Sequence, residues 1–203
     1  MKDEEFRFDP IEHKYWLGDE EMPGVTKIIS PLNDFSKVHP DVLKAKAMSG
    51  TNIHLTFKLA IDGTLEESNL AEGNKIALDL FRTWFSSDEA CQFGVLREYE
   101  NPTYHKKLKY GTTPDWVFDE AIIEIKTRPY KKHIDPVQLI AQANCFNEFP
   151  PKSLWVLFVD IVNRKTTLQK AENRIAWSIF RKLLDKWRYD REIEILIKNW
   201  KGE

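Results

Sequence analysis

Tyr110-Gly111-Thr112-Thr113-Pro114-Asp115-Trp116-Val117-Phe118-Asp119-Glu120-Ala121-Ile122-Ile123-Glu124-Ile125-Lys126-Thr127 is the stretch on which the fold turns. With Asp119-Glu120 as a two-residue turn it reads as a β-hairpin: Phe118 faces Ala121, Val117 faces Ile122, Trp116 faces Ile123 and Asp115 faces Glu124. Directly opposed residues on an antiparallel pair hold their Cβ atoms about 4.5–5.5 Å apart on one face. Lys126 lies two residues past Glu124 and so shares that face, while Trp116, Phe118, Ile123 and Ile125 form an apolar opposite face. One face is core, and the other gathers two carboxylates and an amine. Opposed like charges weaken a strand pair, and close carboxylates push one another's pKa upward. A hard divalent cation removes the conflict, because Mg²⁺ accepts carboxylate oxygens and keeps several waters. Lys126 could then orient or deprotonate a water, or neutralise charge developing on a phosphate. A solvated surface hairpin would tolerate a Glu124–Lys126 pair without any ligand, but Ile122, Ile123 and Ile125 give this strand the composition of a buried one.

The segments around the hairpin point to an α/β fold. Phe6 to Phe8 and His13 to Leu17 flank Asp9-Pro10 with the short alternation of a hairpin. Met22-Pro23-Gly24 breaks the chain before an ordered segment beginning at Val25–Ile29. Residues 41–61 read as a helix ending at Asp62-Gly63, with Val42, Ala45, Ala47, Met48, Ile53, Leu55, Phe57 and Leu59 as its candidate buried side. Residues 71–85 read as a second helix carrying Ile76, Leu78, Leu80, Phe81 and Trp84 inward. Residues 93–99, 114–118, 121–127 and 153–161 have the lengths and β-formers of strands. Between the last two, Asp135-Pro136-Val137 reads as an N-cap with proline at the first helical position, opening a helix to about Asn147 that Pro150-Pro151 closes off. From about Gln169 to Trp200 the chain reads as helical, with Trp177, Phe180, Leu183, Leu184 and Trp187 on a broad apolar stripe. A central sheet flanked by helices is the architecture this order specifies.

Composition bounds the rest. The 203 residues suit one domain, with sections at 1–30, 41–165 and 169–200, and a chain of this size buries roughly 70% of its unfolded surface. Thirty basic against 32 acidic residues leave a net charge of −2, so any anion site must come from local charge. Residues 1–24 hold three Lys/Arg against eight Asp/Glu, and residues 164–203 hold eleven against six. Tyr104 to His133 carries seven against four, either as solvated surface or as a contact for a polyanion. Two cysteines exclude a disulfide scaffold and a four-cysteine zinc or iron–sulfur site from this chain alone; Cys91 and Cys145 read as packing residues. No apolar run approaches the ~18 residues of a membrane span, and no secretory signal is visible. A soluble cytoplasmic protein without a membrane partner is the simplest expectation.

Pro114-Asp115, then eight residues to Glu124-Ile125-Lys126 after the Asp, matches the PD-(D/E)XK nuclease signature, proline included. Further landmarks resemble its RecB-like exonuclease branch, the group of the phage recombination and mitochondrial genome maintenance exonucleases. Gly111-Thr112 ahead of Asp115 resembles that branch's Gly-Thr-x-Asp element, stretched by one residue. Gly50-Thr51-Asn52-Ile53-His54 resembles its helix-borne Gly-x-x-x-His. Gln138 resembles the first position of its Gln-x-x-x-Tyr motif, although Gln142 stands where the family has Tyr. The opening, His13-Lys14-Tyr15-Trp16 through Pro23-Gly24-Val25-Thr26, is also similar, and the resemblance spans roughly residues 6 to 160.

The resemblance implies a restriction-endonuclease-like core, a central mixed β-sheet flanked by α-helices, and metal-dependent hydrolysis of DNA from its ends. It implies Asp115, Glu124, Lys126 and Gln138 as catalytic residues, and His54, Asp115, Glu124 and the Ile125 carbonyl around Mg²⁺ or Mn²⁺. Glu98 would be the upstream acidic position, with Glu100 as its rival. Lys106, Lys107, Lys109, Arg128, Lys131 and Lys132 would grip phosphates. Tyr104, Tyr110 and Tyr130 would stack on unpaired bases, with Thr112 beside them. DNA, as single strands or duplex ends, is the implied partner, together with a recombination or replication protein in a bacterial or phage-infected cell. A non-catalytic nucleic-acid-binding module and a structure-specific endonuclease are the alternatives.

Overall fold

The computed structural model describes residues 5–146 and 150–201; the expectations on residues 1–4 and on the helix end at Asn147 fall outside that range. The chain opens with an antiparallel meander of β1 (Phe6–Asp9), β2 (Lys14–Leu17) and β3 (Glu20–Met22), one strand more than the hairpin expected. Then come the short α1 (Val25–Ile29), the long α2 (Pro40–Ile61), α3 (Glu72–Phe85) and α4 (Asp88–Cys91). Strand β4 (Leu96–Tyr99) precedes a small hairpin of β5 (Thr103–His105) and β6 (Tyr110–Thr112), neither of which the sequence reading separated out. The expected hairpin follows as β7 (Trp116–Phe118) and β8 (Ala121–Lys126), with Trp116 opposite Ile123 and Val117 opposite Ile122. Helix α5 (Asp135–Ala143), strands β9 (Ser153–Asp160) and β10 (Lys165–Lys170), and α6 (Ala176–Lys201) complete the described chain.

Five strands form the central sheet in the order β10-β9-β8-β7-β4, with β8 and β9 parallel and the other neighbours antiparallel. Parallel neighbours need a crossover, and α5 supplies it. Trp116, Phe118, Ile123, Ile125, Leu157 and Val159 project from one face into Ile53, Phe57, Leu78, Phe81 and Trp84 of α2 and α3. Val117, Ile122 and Val156 project from the other and meet Leu139 of α5. Beyond α5, Ile134, Val137 and Ala141 pack with Ile28 and Ile29 of α1 and Phe180 and Leu184 of α6. Each large side chain fully buried this way contributes about 1.5–3 kcal/mol of transfer free energy. The result is a mixed α/β fold with a central mixed sheet flanked by helices. Among the described residues, no helix is long and apolar enough to cross a membrane.

Two local readings are corrected. Residues 165–170 are an edge strand, not the approach to a helix; Thr166 and Thr167 are β-branched, and their pairing with β9 outweighs the helical pattern that begins after them. So residues 169–200 are not all helical, and the sheet extends past the expected core boundary at 165. In α2 the first half is exposed: Val42, Ala45, Ala47, Met48 and also Leu55 lie outward, while Ile53, Thr56 and Phe57 are buried. Helical periodicity locates an apolar stripe but not where its cover begins. Asp62-Gly63 ends this helix as expected, with Gly63 at φ +70°. At α5, Ile134 is the cap and Asp135 is already helical.

Candidate active site

The site is built at the open end of the β7–β8 hairpin. Asp115 stands just before β7 and is 6% exposed; Glu124 and Lys126 extend from β8. The Asp115 main-chain carbonyl accepts from the Glu100 N–H at 3.0 Å, and its carboxylate Oδ2 accepts from the Ile125 N–H at 2.6 Å. The side chain thereby replaces a ladder partner and is fixed against the neighbouring strand. Its other oxygen, Oδ1, lies 3.3 Å from His54 Nδ1, and the same nitrogen lies 3.1 Å from Glu100 Oε1. His54 reaches this point from α2, one turn after Gly50. The ligand atoms of His54, Glu100 and Asp115 all lie within 4.8 Å of one another.

Glu124 forms the second half. One carboxylate oxygen accepts from Lys126 Nζ at 2.7 Å and from the amide of Gln138, and the other accepts from Gln142 Nε2 at 2.9 Å. Lys126 Nζ also lies 3.2 Å from Gln138 Oε1. Gln138 and Gln142 sit one turn apart on α5 and face the sheet together, so α5 acts as a lid over Glu124. Gln142 thus occupies a defined place despite departing from the family's Tyr, and its own buried Oε1 has no hydrogen-bond partner among the described residues.

Burial governs the electrostatics. It works against a charge on His54, but the carboxylates of Asp115 and Glu100 outweigh it and hold the imidazole pKa well above its usual value. For Glu124 burial pushes the carboxyl up and the Asp115 charge adds to it, with Lys126 and Gln142 pulling back only in part. For Lys126 burial pulls down, and Glu124 and Asp115 together turn the shift upward. Three carboxylates around one cleft are thus held by one imidazole, one ammonium and two amides. Two carboxylate oxygens and an imidazole nitrogen form a donor set that could hold a divalent metal ion.

The sequence-derived residues fall into distinct places. Asp115, Glu124, Lys126, Gln138 and His54 are brought together. Glu124 lies outside the converging group of three; its Oε1 already accepts two hydrogen bonds, and its Oε2, which accepts from Gln142, keeps lone-pair capacity. Glu98 is corrected: its carboxylate accepts from Asn101 Nδ2 at 3.0 Å, and Glu100 is the acid that enters the site. A register shift within β4 and the positive φ of Glu100, +49°, redirect the alternation there. Among the nucleic-acid candidates, Tyr110 is fully buried with its hydroxyl on the Ala141 carbonyl, so it cannot stack on a base. Thr112 is buried as well. Arg128 makes a two-pronged pair with buried Asp135, which leaves it a structural clamp on the start of α5. Lys109 pairs with Glu20. Tyr104 stacks on Phe6, and Tyr130 is half-buried against the sheet. Lys106, Lys107 and Lys132 are exposed.

Two side chains escaped the sequence reading. Tyr15 of β2 is buried under Gly111, its hydroxyl bonded to His13 Nε2 at 3.0 Å and to Thr113 Oγ1 at 2.9 Å, and its phenol is pushed up to about 12 by burial. Phe35, in the loop before α2, lines a cleft of 520 Å³ that opens beside His54, Ile125 and Lys126. Tyr15 falls in the opening stretch that carries the resemblance but without a role there, and nothing local marks Phe35; each meets the site only through tertiary packing.

No family model and no curated protein matches this sequence. The fold, however, is shared with solved structures: a restriction-endonuclease-like core, with a central mixed sheet flanked by helices. One such structure is the alkaline exonuclease LHK-Exo of Laribacter hongkongensis, at 14% identity and TM-score 0.50, covering 89% of this chain and 93% of that one. Another is LHK-Exo in complex with dAMP, at 12% identity and the same TM-score and coverage. This likeness is one of fold.

Proposed function

We propose that this chain is a divalent-metal-dependent DNA exonuclease of the RecB-like PD-(D/E)XK type, hydrolysing phosphodiester bonds at DNA ends in recombination, repair or replication. The observation that carries the reading is the junction of two groups across one hairpin: His54, Glu100 and Asp115 on one side, and Lys126, Glu124 and Gln138 on the other. His54, Glu100 and Asp115 would hold Mg²⁺ or Mn²⁺, with Glu124 and the Ile125 carbonyl as further oxygen donors, and the bound ion supplies phosphate polarisation and a water of lowered pKa. The chain's own side chains do the positioning. Lys126 spends two of its three N–H donors on Glu124 and Gln138 and keeps one for a phosphate oxygen or the attacking water. Gln138 holds both members of that pair, so the ammonium cannot swing out of the site without breaking two contacts. Asp115, tied to the Ile125 N–H, presents Oδ1 alone to the cleft side.

The test is cleavage of end-labelled linear single strands, linear duplexes and circular single strands with Mg²⁺, Mn²⁺ or EDTA. Metal-dependent loss of linear but not circular DNA, abolished in Asp115→Ala and lowered about 10²–10³-fold in Lys126→Ala, is the expected result. Equal cutting of circles would replace the exonuclease reading with an endonuclease one. Absence of cleavage on every substrate would overturn the nuclease reading itself.

A further inference from the structure

Of the tyrosines that the sequence offers for base stacking, Tyr110 is buried, Tyr104 is stacked on Phe6 and Tyr130 is half-buried, and the cleft at the site has an aromatic residue of its own. Phe35 is 44% exposed and Leu43 is 36% exposed. Both line the 520 Å³ cleft that also contains His54 and Lys126. Lys131 Nζ stands over the Phe35 ring at 5.8 Å from its centroid. Lys46 on α2 lines the same cleft, and neither it nor Lys131 has a carboxylate partner among the described residues. The carboxylate on this wall outside the catalytic group, Asp160, is engaged by the backbone and side-chain nitrogens of Asn163. The cleft therefore brings apolar side chains, two ammonium groups and the reactive groups onto one lining.

That combination defines an occupant. A ring flanked by ammonium groups binds a flat heterocycle attached to a phosphate, by stacking on one part and charge on the other. A base inside a duplex has both faces covered by its neighbours, so a wall ring can reach only an unpaired base or an end. We propose that Phe35, with Lys131 over its ring and Leu43 and Lys46 lining the same cleft, is the stacking platform for an unpaired base of a DNA strand entering the site, and sets a preference for single-stranded over duplex ends. This rests on the nuclease reading above and extends it to the class of substrate. The volume suits one or two nucleotides, within the roughly 300–1,000 Å³ range of ligand clefts.

The experiment measures binding rather than turnover. Fluorescence anisotropy of the full chain, with Ca²⁺ in place of Mg²⁺, is recorded for a labelled oligothymidylate and for a blunt duplex of the same length. Phe35→Ala is expected to weaken single-strand binding at least about fivefold, the lower bound for one lost stacked base. Duplex binding changes less than about twofold, and Phe35→Trp keeps single-strand affinity. Equal weakening on both substrates would mean that the ring caps a terminal base pair, and would overturn the preference. No effect of Phe35→Ala on either substrate, with its melting temperature unchanged, would overturn the platform. Cleavage by the unsubstituted chain with Mg²⁺, run alongside, reports on the nuclease reading separately: cleavage without a Phe35 effect sinks only the platform, whereas a chain that neither binds nor cuts sinks both.

Discussion

Glu100 reaches His54 through a backbone twist that no rule of alternation provides. Its left-handed φ costs a non-glycine residue on the order of 1–2 kcal/mol, which the surrounding contacts must offset. Glu98, two residues earlier, has the same chemistry but ends on Asn101. This makes a clean comparison. At a Mn²⁺ concentration about 100 times the dissociation constant, the folded chain should gain about 2.7 kcal/mol against unfolding. Glu100→Gln should remove most of that gain in a thermal melt, and Glu98→Gln should leave it intact. The cysteines offer a second contrast. Burial pushes the Cys145 thiol up to about 12, so it carries almost no thiolate near neutral pH, whereas Cys91 is exposed. Iodoacetamide at pH 8 should modify Cys91 alone, and mass spectrometry should find Cys145 alkylated only after denaturation.

At the scale of elements, the join between the N-terminal meander and the hairpin ahead of Asp115 depends on one missing side chain. A Cβ on Gly111 would stand 2.2 Å from Cγ of Tyr15, a distance no relaxation of a ring end can absorb. Gly111 N–H donates to the Pro23 carbonyl at 3.0 Å, so the backbone cannot retreat without losing that bond. Gly111→Ala should cost about 1–3 kcal/mol, read by urea denaturation, and should lower activity because Tyr15 anchors Thr113 beside Asp115. Helix α6 divides in two. Its first half buries Ala176, Phe180 and Leu184 against α5 and α1, while residues 189–201 are exposed throughout. Phe180→Ala should destabilise by about 3–5 kcal/mol. Ending the chain after Asp190 should change stability by no more than about 0.5 kcal/mol. A large loss on truncation would show that the exposed half packs against something in solution.

Across the whole molecule, what could be read from sequence and what could not divide by the range of the interactions. The hairpin register from Trp116 to Ile123, the stop at Asp62-Gly63 and the crossover helix after Pro136 were all legible, because each is written in the period, turn chemistry or capping of adjacent residues. The edge strand at residues 165–170 was not, because this run, polar but for Leu168, becomes a strand only when β9 offers its ladder. The exposed start of α2 was misread for the complementary reason: an apolar stripe says nothing about whether another layer lies against it. The site shows the same division. Asp115, Glu124 and Lys126 lie within one hairpin, where side-chain alternation alone sets them on one face. His54 and Glu100, 46 residues apart, meet only because α2 packs on one face of the sheet. By itself the sequence determined the hairpin, its acids and its lysine, since pleat and turn act over a few residues. Which acid joins His54, which aromatic ring faces the cleft and which arginine is spent on holding a helix were decided by the tertiary structure, because burial and long-range contact exist only once the layers have closed on one another.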